Sequence, residues 1–160
     1  MAGSAANVRL FLVGPMGSGK STVGRHLADL LDCPFIDSDA EIESRAGADI
    51  PWIFDVEGEA GFRRRETTVL KDLVEHPAAV IATGGGTILT AENREMMARA
   101  GVVGFLNVSV AQQLKRTGSG DGRPLLQRPD REETLNQLMA EREPLYRALA
   151  DVIISAGGGN

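Results

Sequence analysis

The sequence contains little cysteine and no long apolar stretch. Its 160 residues include one cysteine, Cys33, which has no second cysteine for a disulfide or a shared metal site, so we expect it to pack rather than react. The longest apolar runs, such as residues 8–13, are far shorter than the roughly 20 residues that span a membrane. Residues 1–7 lack the charged and apolar regions of a signal peptide. We therefore expect a soluble, cytoplasmic protein without a membrane partner.

Positive charge is also scarce. The chain has 17 lysines and arginines against 22 aspartates and glutamates, a formal net charge of −5, and only three of its cations are lysines. Because binding to a nucleic-acid backbone needs a basic face, this balance argues against a nucleic-acid partner. Any phosphate that the protein binds must be bound by a local group of hydrogen-bond donors and cations.

The rest of the composition is that of a globular protein. Hydrophobic residues make up 42% and charged residues 24%, and 160 residues suit one domain, so we expect a single domain over residues 1–160. Strands and helices alternate, which predicts an α/β fold with a parallel sheet and helices on both faces. The predicted strands are 8–14, 35–37, 79–83, 102–107 and 151–155, and the predicted helices are 20–31, 39–46, 52–57, 59–75, 91–100, 110–116 and 131–149.

Two segments are predicted to lie outside these elements. Residues 117–130 contain three glycines and two prolines, too many for the interior of a helix or strand, and a loop of this length is typical of a functional lid. The final residues, 156–160, read AGGGN and have no apolar side chain large enough to pack, so we expect them to be disordered.

A phosphate-binding motif follows the first predicted strand. Residues 14–21 read GPMGSGKS, which fits G-x-x-x-x-G-K-[ST] between a strand and a helix. In such a loop the glycines let backbone N–H groups surround a polyphosphate, the lysine reaches its outer oxygens, and the serine hydroxyl binds Mg²⁺. The predicted nucleotide-binding residues are Gly17, Ser18, Gly19, Lys20, Ser21 and Thr22.

Two aspartates end the second predicted strand. Asp37 and Asp39 are two residues apart, so in extended backbone both carboxylates project to one side, at the edge where open α/β sheets bind ligands. One carboxylate could hold magnesium while the other accepts a proton from a hydroxyl. The alternative is that Ser38 or Asp39 only caps the next helix, since Ser38-x-x-Glu41 matches a capping box.

Three consecutive glycines and four arginines complete the candidate site. Gly84, Gly85 and Gly86 follow a buried strand and would let a small polar substrate approach the backbone, although a plain tight turn is the alternative. The arginines singled out by their context are Arg63, Arg116, Arg123 and Arg142. Each of them alone could equally be a solvated surface charge.

Together, these motifs resemble the shikimate kinase family. The strings that carry the resemblance are LVGPMGSGKSTVGRHLA, FIDSDAEIE, IFDVEGEAGFRRRE, ATGGG, RPLL and REPLY, and they span nearly all of residues 8–155. The resemblance implies a P-loop kinase of the nucleoside-monophosphate-kinase type, a three-layer fold with a five-stranded parallel sheet in order 2-3-1-4-5. It also implies transfer of the γ-phosphoryl group of ATP to the 3-hydroxyl of shikimate, in the route to chorismate and the aromatic amino acids, by a monomer.

The resemblance also implies a role for individual residues. Lys20 and Ser21 match the phosphate and magnesium positions, and Asp37 matches an aspartate that holds the magnesium indirectly. Asp39 matches the residue that binds the shikimate hydroxyls and is the candidate base. The other matched positions are Arg63 and Arg142 for the shikimate carboxylate, Gly84, Gly85 and Gly86 on the substrate side, Arg123 as the lid arginine that reaches the phosphates, and Arg116 stacked on adenine. The family usually continues beyond its last strand into an adenine-contacting loop and a helix, where this sequence reads SAGGGN.

Three other interpretations remain open at this stage. A different small-molecule or nucleotide kinase of the same fold would be favoured if Arg63 and Arg142 did not converge. A GTP-operated switch is suggested by Asp55-Val56-Glu57-Gly58, which fits D-x-x-G, but no Asn-Lys-x-Asp is present to recognise guanine. A binding protein of this fold without catalytic activity is the third alternative.

Overall fold

Five parallel strands form one sheet, with the first strand at its centre. The computed structural model describes residues 8–117 and 131–155. The strands are β1 (Arg9–Val13), β2 (Phe35–Asp37), β3 (Ala79–Ala82), β4 (Val102–Asn107) and β5 (Val152–Ser155). Their order is β2-β3-β1-β4-β5, and every pairing is parallel, which confirms the predicted topology.

Six α-helices lie in the part of the chain that the structure describes. They are α1 (Lys20–Leu31), α2 (Ser38–Ala46), α3 (Ile50–Leu73), α4 (Ala91–Ala100), α5 (Val110–Thr117) and α6 (Arg131–Leu149), and a 3₁₀ turn covers Thr87–Leu89. Within the described ranges, no helix is both long enough and apolar enough to cross a membrane.

The side chains of β1 alternate between two hydrophobic cores. Phe11 and Val13 join a large core with residues of α3, α4 and α6, whereas Leu12 belongs to a smaller core that packs against α1. Successive side chains of a strand point to opposite faces, so helices cover both faces of the sheet as the sequence predicts. The result is a three-layer α/β arrangement.

The helix α3 departs from the predicted boundaries. The sequence predicts two helical stretches, 52–57 and 59–75, and the structure joins them as Ile50–Leu73 with a break in helical backbone at Gly58, where φ is 75° and ψ is 176°. Only glycine adopts this combination readily, so Gly58 is the residue that permits the kink. Most of the predicted lid, residues 118–130, and the predicted disordered tail, residues 156–160, lie outside the described residues.

Candidate active site

The sheet order brings three predicted motifs to one edge. The phosphate loop follows β1, the aspartate pair follows β2 and the glycine triplet follows β3, and these three strands are neighbours. Because the strands are parallel, their carboxyl ends meet at the same edge. A cavity of about 690 Å³ opens there. Its lining includes Gly17, Ser18, Gly19, Lys20, Ser21, Thr22, Asp37, Asp39, Gly84 and Gly85.

The phosphate loop turns through two glycines with left-handed backbone. Gly17 has φ 76° and Gly19 has φ 90°, and Gly19 is also the N-cap of α1. A residue with a Cβ atom would be strained in either conformation. No side chain caps α1, so the N–H groups of its first turn are directed into the loop together with the positive end of the helix dipole. This geometry can bind an anion.

Lys20 lies against the inside of the same loop. Its Nζ atom donates hydrogen bonds to the Gly14 carbonyl oxygen at 2.6 Å and to the Pro15 carbonyl oxygen at 3.0 Å. The ammonium group is therefore held within the anion-binding loop, where the helix N-terminus adds further positive potential. It also lowers the pKa of Asp39, although other influences on that carboxyl are stronger.

The side chains of Ser21 and Asp37 are hydrogen-bonded to each other next to the loop. The Ser21 hydroxyl donates to Asp37 Oδ2 at 3.2 Å. The other carboxylate oxygen of Asp37 accepts the backbone N–H groups of Asp39 at 2.9 Å and Ala40 at 3.2 Å. Asp37 is thus the N-cap of α2, so the alternative that Ser38 or Asp39 only caps this helix is wrong. The reason is that β2 ends directly at α2, so extended backbone stops one residue earlier than the capping-box pattern assumes.

Asp39 is a partly buried residue whose Oδ1 atom is fully buried and has no hydrogen-bond partner among the described residues. Burial, followed by the nearby charges of Glu66 and Asp37, raises the pKa of Asp39 from 3.8 to about 6. A carboxylate with a pKa close to the working pH and a free acceptor atom is suited to accept a proton. Because Asp39 lies in the first turn of α2 instead of in extended backbone, helical geometry directs it to the cavity beside Asp37.

The glycine triplet is the meeting point of three predicted site residues. A Cβ atom on Gly84 would lie 2.7 Å from Asp39 Oδ1, and one on Gly85 would lie 3.5 Å from Arg142 Nη1. A Cβ on Gly86 would collide with the guanidinium of Arg63, 2.7 Å from Nη1. The triplet therefore does more than form a tight turn, because the missing side chains of Gly84 and Gly86 leave room for Asp39 and Arg63, while Arg142 packs in ordinary contact with Gly85.

Arg63 is held by a buried acidic side chain. Its Nη1 atom donates to Glu66 Oε1 at 2.9 Å, and Glu66 is only 2% exposed. The second oxygen of Glu66 accepts a hydrogen bond of 2.6 Å from the Thr87 hydroxyl, directly after the glycine triplet. A more exposed contact of 3.4 Å joins Arg63 to Glu59. These contacts fix the Arg63 side chain next to Gly86.

Arg142 reaches the triplet from α6. It is 6% exposed, and its Nε atom has no hydrogen-bond partner among the described residues. Tyr146 lies one helical turn further on, and its hydroxyl donates to the Gly85 carbonyl oxygen at 2.6 Å. Arg63 and Arg142 thus converge on adjacent glycines, so they are not two separate surface charges.

Three buried residues of the site were not predicted from the sequence. Glu66 and Tyr146 could have been found, since they lie three and four residues after Arg63 and Arg142 on the same helix faces. No sequence pattern pointed to Gln113. Its side-chain amide donates to the Met16 carbonyl oxygen at 2.9 Å, and the two residues are 97 positions apart in the chain. The predicted roles of Arg123 and of the Arg116 side chain fall outside the described residues.

The parallel sheet, the phosphate loop and the acidic cavity beside it define a P-loop kinase. The sequence model for shikimate kinase matches residues 16–160 of this chain. A shikimate kinase of Halorhodospira halophila is 56% identical over 151 residues, which cover 94% of this chain and 85% of that protein. The chain belongs to the shikimate kinase family.

Solved structures give the same result. Shikimate kinase from Acinetobacter baumannii in complex with shikimate superposes with a TM-score of 0.95 at 49% identity, covering 99% of this chain and 89% of that one. Shikimate kinase from Aquifex aeolicus gives a TM-score of 0.81 at 41% identity, with 95% and 89% covered. The family resemblance inferred from the motifs is therefore confirmed.

Proposed function

We propose that the protein transfers the γ-phosphoryl group of ATP to the 3-hydroxyl of shikimate, giving shikimate 3-phosphate and ADP for aromatic amino acid biosynthesis. The observation that carries this proposal is the charge pattern around the glycine triplet, with Asp39 at Gly84 and the two guanidinium groups at Gly85 and Gly86. A substrate with a carboxylate at one end and a reacting hydroxyl at the other needs this separation of cations from a base.

The nucleotide side of the reaction depends on the phosphate loop. Backbone N–H groups of residues 17–22 and the N-terminus of α1 would bind the β- and γ-phosphates, and Lys20 would neutralise the charge that spreads over the γ-phosphoryl oxygens during transfer. Arg123 and Arg116 are proposed to contact the phosphates and the adenine. Because the loop and Asp39 line one cavity, nucleotide and hydroxyl would be held close together, and this positioning is most of the catalytic task in phosphoryl transfer.

The residues next to the loop fit magnesium as the metal. Ser21 and Asp37 offer hard oxygen ligands with their side chains 3.2 Å apart. No group of three or more acidic, histidine or cysteine side chains in the described ranges could hold a metal. Mg²⁺ is typically bound by one or two protein oxygens together with substrate phosphates and water, so it would arrive with ATP and offset the phosphate charge.

Asp39 is proposed to accept the proton of the attacking hydroxyl. Its free Oδ1 atom lies beside Gly84, at the boundary between the phosphate loop and the substrate side. Since burial and the charges of three nearby carboxylates raise its pKa to about 6, the carboxylate is ionised at neutral pH but more basic than an exposed aspartate. The same carboxylate would bind a shikimate hydroxyl before transfer.

We also propose that the protein acts as a cytoplasmic monomer without nucleic-acid or membrane partners. The formal net charge of −5 argues against a nucleic-acid partner, because the acidic protein would repel a polyanion. The single cysteine is in keeping with a reducing compartment.

Release of ADP that depends on shikimate, ATP and Mg²⁺ is the result expected in a coupled assay. The same assay with other hydroxylated carboxylic acids and with nucleoside monophosphates tests for a different kinase of this fold. A folded sample that binds shikimate without releasing ADP would support the catalytically idle alternative and contradict the proposal.

Replacing Arg63 or Arg142 by lysine is expected to raise the KM for shikimate roughly 10- to 100-fold. An ammonium group carries the same charge but cannot make two parallel hydrogen bonds to a carboxylate. The KM for ATP should stay within about twofold, since neither arginine lies in the phosphate loop. Initial rates over a matrix of both substrates measure the two constants separately.

Arg64→Lys is the matched control for this experiment. Arg64 is exposed on the same helix as Arg63, so its replacement should change neither constant. If the Arg63 or Arg142 variants raise the KM for ATP as much as the KM for shikimate, these arginines stabilise the fold. That result would contradict their assignment to the carboxylate.

A further inference from the structure

Tyr146 occupies a position between the substrate side and the phosphate side of the site. It is 1% exposed, and its ring stacks on Phe105 of β4 with a centroid distance of 5.0 Å. Stacking on the central sheet leaves the ring little freedom, so the hydroxyl is presented at a fixed point. This point is the backbone of the glycine triplet.

The hydroxyl of Tyr146 holds the backbone beside Arg142. It donates to the Gly85 carbonyl oxygen at 2.6 Å. Arg142 lies one turn earlier on α6, and its positive charge is close enough to lower the pKa of Tyr146 against the effect of burial. A Cβ atom on Gly85 would lie 3.5 Å from Arg142 Nη1, in ordinary van der Waals contact. The hydroxyl therefore fixes the backbone against which the arginine packs.

Gly85 in turn packs against the phosphate loop. A Cβ atom placed on it would lie 3.4 Å from the Met16 backbone nitrogen and 3.8 Å from the Gly14 carbonyl oxygen. A shift of Gly85 would therefore change the distance between the carboxylate site and the phosphate loop. Phosphoryl transfer is sensitive to such shifts, and a displacement of about 1 Å can cost roughly 10²-fold in rate.

We propose that Tyr146 is a positioning residue that holds the Gly85 backbone between Arg142 and the phosphate loop and thereby sets the substrate carboxylate at the correct distance from that loop. This inference rests on the proposed function, because it assigns Arg142 to the shikimate carboxylate. The phenol is suited to the task at any working pH, since burial raises the pKa of Tyr146 to about 12 and the hydroxyl keeps its proton.

Tyr146→Phe tests the inference, because it removes the hydroxyl and keeps the stacked ring. The kcat/KM for shikimate is expected to fall roughly tenfold, the scale of losing one buried hydrogen bond and leaving the Gly85 carbonyl without its partner, while the KM for ATP stays within about twofold. With the methyl ester of shikimate, which lacks the carboxylate charge, the loss should shrink to less than about twofold. In the double variant with Arg142→Lys, the two losses should not multiply, because the residues act as one unit.

The matched control is Thr67→Val, which removes a hydroxyl hydrogen bond of 2.9 Å between Thr67 and Asn93 on two other helices. Its kinetic constants should match those of the wild type even if its melting temperature falls. If Tyr146→Phe lowers kcat/KM equally for shikimate and its ester, or raises the KM for ATP, Tyr146 is only structural and the inference is overturned. If the wild type itself fails to phosphorylate shikimate, the proposed function falls and this inference falls with it.

A second measurement does not depend on the folding of a variant. Tyr146 is the only tyrosine of the chain, so incorporation of 3-fluorotyrosine labels this position alone. Saturating shikimate should shift the single ¹⁹F resonance, and the methyl ester should shift it much less. A resonance that responds equally to both compounds, or to neither, would overturn the inference.

Discussion

Lys20→Ala is expected to lower kcat by about 10³-fold or more. The Lys20 ammonium is the cation of the phosphate loop, and its hydrogen bonds to the Gly14 and Pro15 carbonyls hold it on the inner side of that loop. During transfer, negative charge spreads over the γ-phosphoryl oxygens, and a preorganised cation at this point costs no reorganisation. Alanine removes the charge and leaves the oxygens to be stabilised by backbone N–H groups and the metal alone. ADP release in the coupled assay measures the loss.

Lys71→Ala is the control for this prediction. Lys71 is 57% exposed on α3 and pairs with the equally exposed Glu92, so its loss should leave kcat unchanged. The melting temperatures of both variants are compared with that of the wild type. An unchanged melting temperature would attribute the lower kcat to the lost charge and not to a damaged loop. A kcat of Lys20→Ala within tenfold of the wild type would show that the lysine is not the main source of electrostatic stabilisation.

Local signals in the sequence account for most of the elements. The bounds of α1, β2, α4, β4 and α6 agree with the predicted ones, because each is delimited by a glycine, a proline or a change of hydrophobic period. Alternation of strands and helices also predicts a parallel sheet. It does not give the order of the strands, which followed from the family resemblance.

Contacts between distant segments explain what the sequence did not reveal. The hydrogen bonds from Tyr146 to Gly85 and from Gln113 to Met16 cross 61 and 97 residues. No spacing along the chain encodes such pairs, since they exist only after the sheet has assembled. The N-cap of α2 has the same cause. The capping-box pattern places it at Ser38 from local sequence alone, whereas the structure has Asp37, because the end of β2 depends on its pairing with β3.

Asp39→Asn is expected to lower kcat by about 10²-fold or more while nucleotide binding is retained. Asparagine has nearly the same size as aspartate but cannot accept the proton of the attacking hydroxyl. In the wild type, the raised pKa of Asp39 should appear as a fall in rate as the pH drops through about 6, because the protonated carboxyl is no longer a base. The rate of Asp39→Asn should lack this dependence. Rate measurements from pH 5 to 8 test both expectations.

The same substitution is expected to stabilise the fold. The pKa of Asp39 is about 6 in the folded chain and 3.8 when exposed, so between these values the folded state holds a proton that the unfolded state has released. Stability therefore falls as the pH rises through this window, and above pH 6 the buried charge costs up to about 3 kcal/mol. Asparagine avoids this cost, so its advantage in urea unfolding should be larger at pH 8 than at pH 5.

Asp55→Asn serves as the control for both measurements on Asp39. Asp55 is exposed on α3 and does not line the cavity, so its replacement should change neither the rate nor the pH dependence of stability. A loss of activity here would show that substitutions on α2 and α3 slow the enzyme without removing the base. If Asp39→Asn keeps kcat within about threefold of the wild type, Asp39 only binds the substrate. A variant that is slow but no more stable than the wild type would show instead that its carboxylate is better solvated than its burial indicates.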